Sequence, residues 1–196
     1  MQLPEICEVL LDALEKYDTA ILPLGLYASD ELIAGKTIKP RQMEWQEALI
    51  PAIRSFDGRI LSSRLQDTYC YEAAVNIPEL GRISLEILRY SKIKVRKYGS
   101  GYHVDKHEDR SERKNRVDLS GHISNLWKRK NAQLGNISLL LLIAFDKDAD
   151  PLRRELNELE KELNWAAKNV IYQTRSWSDK AERGFGVRLS AWARST

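Results

Sequence analysis

Cysteine is scarce: Cys7 and Cys70 are the only two in 196 residues. They are too few and too far apart for a disulfide scaffold or a zinc knuckle. Neither has a histidine close by in sequence, so both are expected to be small buried apolar residues in a reduced protein. Long apolar runs are missing as well. The longest, Ile137–Phe145, is far too short for a membrane-spanning helix and reads as a buried strand. The opening stretch MQLPEICEVLLDALEKYD mixes acids among its apolar residues and has no basic n-region, so it does not read as a signal peptide. The expectation is a cytoplasmic protein with no membrane partner. There is no P-loop, no G-x-G-x-x-G and no G-x-S-x-G. Repeats, low-complexity tracts and domain linkers are absent too. A single domain over 1–196 is expected, helical over 1–57 and sheet-containing over 58–196.

What is present is an uneven distribution of charge. The net charge is only +3, yet residues 82–130 hold 14 basic and 6 acidic residues, a local excess of +8. A positive middle on a mildly negative body points to an anionic partner: nucleic acid, a phosphate or a carboxylate substrate.

Apolar periodicity supplies the elements. Ile6, Val9, Leu10, Ala13, Leu14 and Tyr17 recur at helical spacing after Pro4, which predicts a helix over 4–17. A second helix is predicted over 41–56, kinked or divided at Pro51. Thr68–Ile77 and Lys92–Tyr98 have strand character, and Ile83–Tyr90 fits helix or strand. A short helix is expected over 118–130. After the strand Ile137–Phe145, Asp150-Pro151 reads as a cap and first helical position, and Leu152, Leu156, Leu159 and Leu163 as the buried stripe of a helix ending near Ala167. Two strands, Asn169–Trp177 and Phe185–Ala193, close the chain, with Trp165, Trp177 and Trp192 packing its core. The fold class is α+β: N-terminal helices, then a mainly antiparallel sheet with an inserted helix.

The segment K97-Y-G-S-G-Y-H-V-D-K-H-E-D-R110 carries two of the three histidines. If it is extended, His103, Asp105, His107 and Asp109 alternate onto one face, a donor set that suits iron, zinc or manganese. The competing reading is an exposed hairpin whose bases and acids pair across strands. The run Y98-G-S-G-Y-H-V-D-K-H107-E-D109 resembles the strand entering the active site of the iron(II)/2-oxoglutarate dioxygenases, especially prolyl-hydroxylase-like members. S138-L-L-L-L-I-A-F-D-K-D148 is similar to the apolar strand that follows there, and G186-V-R188-L-S190-A-W192 to the final strand. The resemblance covers 92–193 in pieces. It implies a double-stranded β-helix, jelly-roll-like sheet, Fe(II) and 2-oxoglutarate as cofactors, and hydroxylation of an unidentified substrate. It further implies His107 and Asp109 as metal ligands, Arg188 as the anchor of the co-substrate carboxylate, and Tyr98 as a pocket wall. Asp179, nine residues before Arg188, stands where the family has its second histidine and becomes the third ligand.

A nucleic-acid-binding protein or metal-dependent nuclease is the alternative. Lys92, Lys94, Arg96, Arg113, Lys114, Arg116, Lys128 and Arg129 could contact phosphates, with Tyr90, Tyr98, Tyr102 and Trp127 interleaved for stacking. A restriction-type core needs an acid on one strand and E/D-x-K on the next, where paired acids hold Mg²⁺. E79-L-G-R-I-S-L-E86 has the outline of such a strand, with Ser84 where its first acid is wanted. D118-L-S-G-H122 is similar to the histidine strand of ββα-metal nucleases, although the helix over 118–130 competes for the same residues.

Overall fold

The computed structural model describes residues 2–20, 26–27, 48–65, 70–91, 93–98, 101–106, 119–125, 137–147, 150–178 and 184–195. The first helix, α1, spans Leu3–Ala20. Pro4 occupies its first turn, and Glu5 Oε2 accepts the backbone N–H of Gln2 at 2.7 Å, satisfying a donor that the helix start leaves orphaned. Its buried stripe is Ile6, Cys7, Leu10, Leu11, Leu14 and Tyr17. A two-residue strand β1 (Leu26–Tyr27) follows, then a short helix α2 (Ile50–Arg54) with Pro51 in its first turn. Two π-helical residues, 48–49, precede it, so Pro51 stands where the helical geometry changes, and a first-turn position needs no intrahelical N–H bond; the start of the expected helix, 41–47, lies outside the described residues.

Three antiparallel strands come next: β2 (Arg59–Leu65), β3 (Cys70–Ile77) and β4 (Gly81–Ser91). The ambiguous stretch around Ile83–Tyr90 is thus a strand, buried on both faces in the middle of the sheet. A hairpin follows, β5 (Ile93–Tyr98) and β6 (Gly101–Lys106), then a short helix α3 over 119–125. The remaining elements are β7 (Ile137–Asp146), α4 (Arg153–Leu163), a 3₁₀ turn (Ala166–Lys168), β8 (Ile171–Ser178) and β9 (Gly186–Ser195).

The main sheet has six strands in the order β2-β3-β4-β7-β9-β8, and β1-β5-β6 form a smaller one. Every pair in the main sheet is antiparallel except β4 and β7, which run parallel from Ile83↔Ile137 to Ser91↔Phe145. A parallel pair needs a long crossover. Here the crossover runs over 92–136, so most of the basic segment is the connection between two central strands.

Alternation along the strands divides the core between two faces. Ile83, Leu85 and Ile87 of β4, Leu139, Leu141 and Ile143 of β7, and Val187, Leu189 and Ala191 of β9 pack with α1 and α2. The intervening Leu88, Tyr90, Leu140, Leu142, Ala144 and Trp192 pack with α3 and α4. The α+β class holds. The jelly-roll form implied by the resemblance is not the form of this sheet: a jelly roll buries sheet against sheet, whereas both faces of these six strands carry helices.

Two local expectations are corrected. Asp150 does not cap α4. The residue before the helix is Leu152, held at φ 60° without a side-chain cap, and Asp150 is turned toward β9. The leucine-striped helix also ends earlier than Ala167. It stops at Asn164 (φ 47°), and the 3₁₀ turn stops at Asn169 (φ 53°); asparagine tolerates this left-handed conformation better than most side chains. The strand β2 had no expectation of its own. It is an edge strand with a register shift between Ile60 and Ser62, and the intervening Leu61 is 53% exposed.

Candidate active site

On the face covered by α3 and α4, β3 and β4 place two carboxylates in register. Glu72 stands directly opposite Glu86 in the antiparallel ladder, and directly opposed residues have Cβ atoms roughly 5 Å apart. Glu86 is buried at 4% exposure and Glu72 is half-buried. The next residue across the sheet from Glu86 is Leu140, so one carboxylate side adjoins apolar packing.

Helix α3 brings a third group to this pair. Leu119 and Ile123 bury against the sheet, and His122, on the same side of the helix, meets Glu86. Its Nδ1 contacts Glu86 Oε1; since a carboxylate only accepts, Nδ1–H is the donor. The His122 side chain remains 27% exposed while that of Glu86 is 5% exposed. A buried carboxylate hydrogen-bonded to a partly exposed imidazole can fix the ring's tautomer and orientation. Equally, the imidazole fixes the carboxylate, as the outer partners of cation-binding carboxylates do. Ser84, buried on the same face of β4, is one pleat away.

Arg188 lies elsewhere on this face. It is 6% exposed on β9. Its Nε and Nη2 donate to Asp150 Oδ1 at 3.1 and 2.6 Å, and its Nη1 donates to Thr174 Oγ1 at 2.9 Å. Thr174 Oγ1 in turn lies 3.1 Å from the Leu189 carbonyl and 3.0 Å from Ser190 Oγ. The guanidinium fork is therefore matched to an internal carboxylate. A 2-oxoglutarate carboxylate at Arg188 would have to displace Asp150.

His107, Asp109 and Asp179, the ligands implied by the resemblance, lie outside the described residues. So do Lys92, Arg113, Lys114, Arg116, Lys128 and Arg129. Tyr98 ends β5 opposite Gly101 of β6, and the same hairpin sets Lys94 opposite Asp105 and Arg96 opposite His103. Of these pairs only Lys94 and Asp105 set a base opposite an acid. Tyr90, considered for base stacking, is buried in the core under α4 at 8% exposure. Among the described residues no group of three histidine, cysteine or acidic side chains gathers in a metal-binding arrangement.

Comparison with protein-family models, with curated proteins and with solved structures returns no match.

The pairing of Glu72, Glu86 and His122 was not foreseen. In the sequence Glu86 stands out only as the end of a nuclease-like strand, and His122 only within D118-L-S-G-H122. The two are 36 positions apart. Their one sequence signal was that an acid sat in an otherwise apolar strand, which makes a partner for it obligatory.

Proposed function

We propose that the protein is a metal-dependent nuclease acting on nucleic acid, with Glu72 and Glu86 as the acids that hold the cation. The observation that carries this reading is the register of Glu72 opposite Glu86 on neighbouring strands of one sheet face. Acids that face each other across adjacent strands supply the paired carboxylates of a restriction-type core; the lysine of its E/D-x-K pattern has no counterpart here, since Ala74 follows Glu72 and Leu88 follows Glu86 at that spacing. Mg²⁺ needs one or two protein carboxylates when water and substrate phosphates complete its shell, so two acids suffice.

In this reading His122 holds the Glu86 carboxylate in place through Nδ1–H. The excess positive charge of the 82–130 segment supplies the field that attracts a polyanion. A bound divalent cation would neutralise charge developing on the phosphodiester during attack by water.

The oxygenase reading takes second place, because Arg188 is committed to Asp150. Incubation of the protein with labelled single- and double-stranded DNA and RNA, with Mg²⁺ or Mn²⁺ and with EDTA, separates the two. Metal-dependent cleavage that disappears in Glu72→Gln and Glu86→Gln supports the nuclease. Absence of cleavage, together with 2-oxoglutarate turnover in the presence of Fe(II), would sink it.

A further inference from the structure

At one corner of the main sheet, where β2 begins and β3 ends, lies an open cleft of about 580 Å³ lined by Arg54, Asp57, Gly58, Arg59, Asn76 and Pro78. We infer that this cleft is a phosphate-binding subsite for a nucleic-acid strand, separate from the carboxylate pair. The inference rests on the nuclease reading for its choice of ligand, and on the cleft's own chemistry for its existence.

Three groups make that chemistry. Arg54 and Arg59 are exposed, and among the described residues neither enters an ion pair, nor does either bond Asp57. Asn76 stands opposite Arg59 in the β2–β3 ladder and lines the same cleft. Two guanidinium groups, an amide and one carboxylate, Asp57, therefore line one cleft, which keeps an excess of positive charge. Guanidinium forks match phosphate oxygens with paired hydrogen bonds.

The turn that joins Arg54 to Arg59 is tightly built. Ser55, Asp57 and Gly58 donate their backbone N–H groups to Pro51, Arg54 and Ile53 carbonyls at 3.0, 3.0 and 3.1 Å. A Cβ on Gly58 would meet the Ile53 carbonyl oxygen at 2.6 Å, so only glycine fits. Both arginines thus rise from a short segment whose backbone is held from within, which lowers the ordering cost of a two-point contact.

Position along the sheet selects the ligand. Asn76 and Glu72 are on the same face of β3, four residues apart, or about 13 Å at strand rise. A nucleic-acid strand of a few nucleotides spans that distance. A strand whose phosphodiester sits at Glu72 and Glu86 would place a later phosphate at Arg59.

The test is binding without chemistry. An oligothymidylate of about twelve nucleotides, a length within single-strand site sizes, is titrated by fluorescence anisotropy in EDTA against wild type and the Arg54→Gln/Arg59→Gln double variant. The expected result is binding at least about tenfold weaker in the variant and a salt slope smaller by about 1.4, the contribution of two phosphate contacts on a single strand. The Arg54→Lys/Arg59→Lys variant should retain most of the slope. Unchanged affinity and slope in the glutamine variant would overturn the inference, as would equal displacement of the probe by polyglutamate. A circular dichroism spectrum and urea midpoint matching wild type establish that the variant is folded; both arginines are exposed, so no large change is expected. Because EDTA suppresses cleavage, failure of the Glu72–Glu86 reading would show only in the cleavage assay, and failure of the subsite only here.

Discussion

Arg188 gives two N–H groups to a single carboxylate oxygen, Asp150 Oδ1, although the residues are 38 positions apart. The arginine side chain is 8% exposed and the aspartate 28%. Thr174 takes the other side of the guanidinium, so a charge buried at the edge of the core has acceptors on both sides. A paired buried charge of this kind is costly to break from one side only.

Asp150→Ala is accordingly expected to lower stability by about 2 kcal/mol, below the ~3–5 kcal/mol of a fully buried pair broken from one side, because Asp150 is partly exposed. The urea midpoint reads this. Addition of 2-oxoglutarate to the wild-type protein should leave the midpoint unmoved. A rise that vanishes in Arg188→Ala would restore the co-substrate role.

A second cluster fastens α1 to the edge strand β8. Arg175 pairs with Glu8, Asp12 and Glu15, three acids on successive turns of the helix. Burial opposes the charge on Arg175, but hydrogen bonds to Glu15, Asp12 and Glu8 outweigh it and raise its pKa further, so it is cationic throughout the working pH range. Arg175→Met should cost roughly 1–3 kcal/mol, from lost charge-assisted bonds and from repulsion among the acids left behind. The deficit should shrink in about 1 M NaCl, where screening operates over only ~3 Å. A deficit independent of salt would show that packing of the arginine stem, not charge, is what matters.

Cys7 is wholly buried in the core under α1, and burial pushes its thiol up to about 12 from an ordinary 9.0. In the native protein it should resist alkylation at pH 8 and react only on unfolding. The raised native value means that stability from the neutral thiol is intact below about pH 9 and declines as pH rises through about 12. Cys7→Ala should therefore flatten the alkaline limb of the stability profile. An alkaline limb identical in the two proteins would refute this assignment.

The Glu86–His122 contact yields a graded expectation in cleavage assays. Glu86→Gln keeps the shape of the side chain and removes a cation ligand, which should abolish metal-dependent cleavage. His122→Gln removes only an outer partner of that carboxylate, and a loss of about 10–100-fold is expected, with more metal needed for half-maximal rate. An equal loss in both variants, without a change in metal requirement, would make His122 a direct participant in proton transfer instead.

Much of the architecture was legible because burial writes its period into the chain. The α1 stripe from Ile6 to Tyr17 and the uninterrupted apolar run of β7 each match a single kind of element. Ile83–Tyr90 was ambiguous for the same reason: a central strand apolar on both faces loses its alternation, and only pairing with β3 on one side and β7 on the other defines it. Asp150-Pro151 misled because a cap signature is local, whereas an aspartate's preferred partner can lie on a distant strand. Here Arg188 drew Asp150 away from the helix end.

Composition and periodicity alone determined that the chain folds as α+β around central apolar strands, that its cysteines do not staple it, and that its middle is basic. Only tertiary structure decided which polar residues meet. Glu72 faces Glu86 because of a strand register, His122 reaches Glu86 because α3 docks on that face, and Arg188 is occupied because β9 lies within reach of Asp150. Hydrophobic burial depends on each residue's own neighbours in sequence and repeats along an element. Specific polar contacts depend on how separate elements are brought together, and no local spacing encodes that.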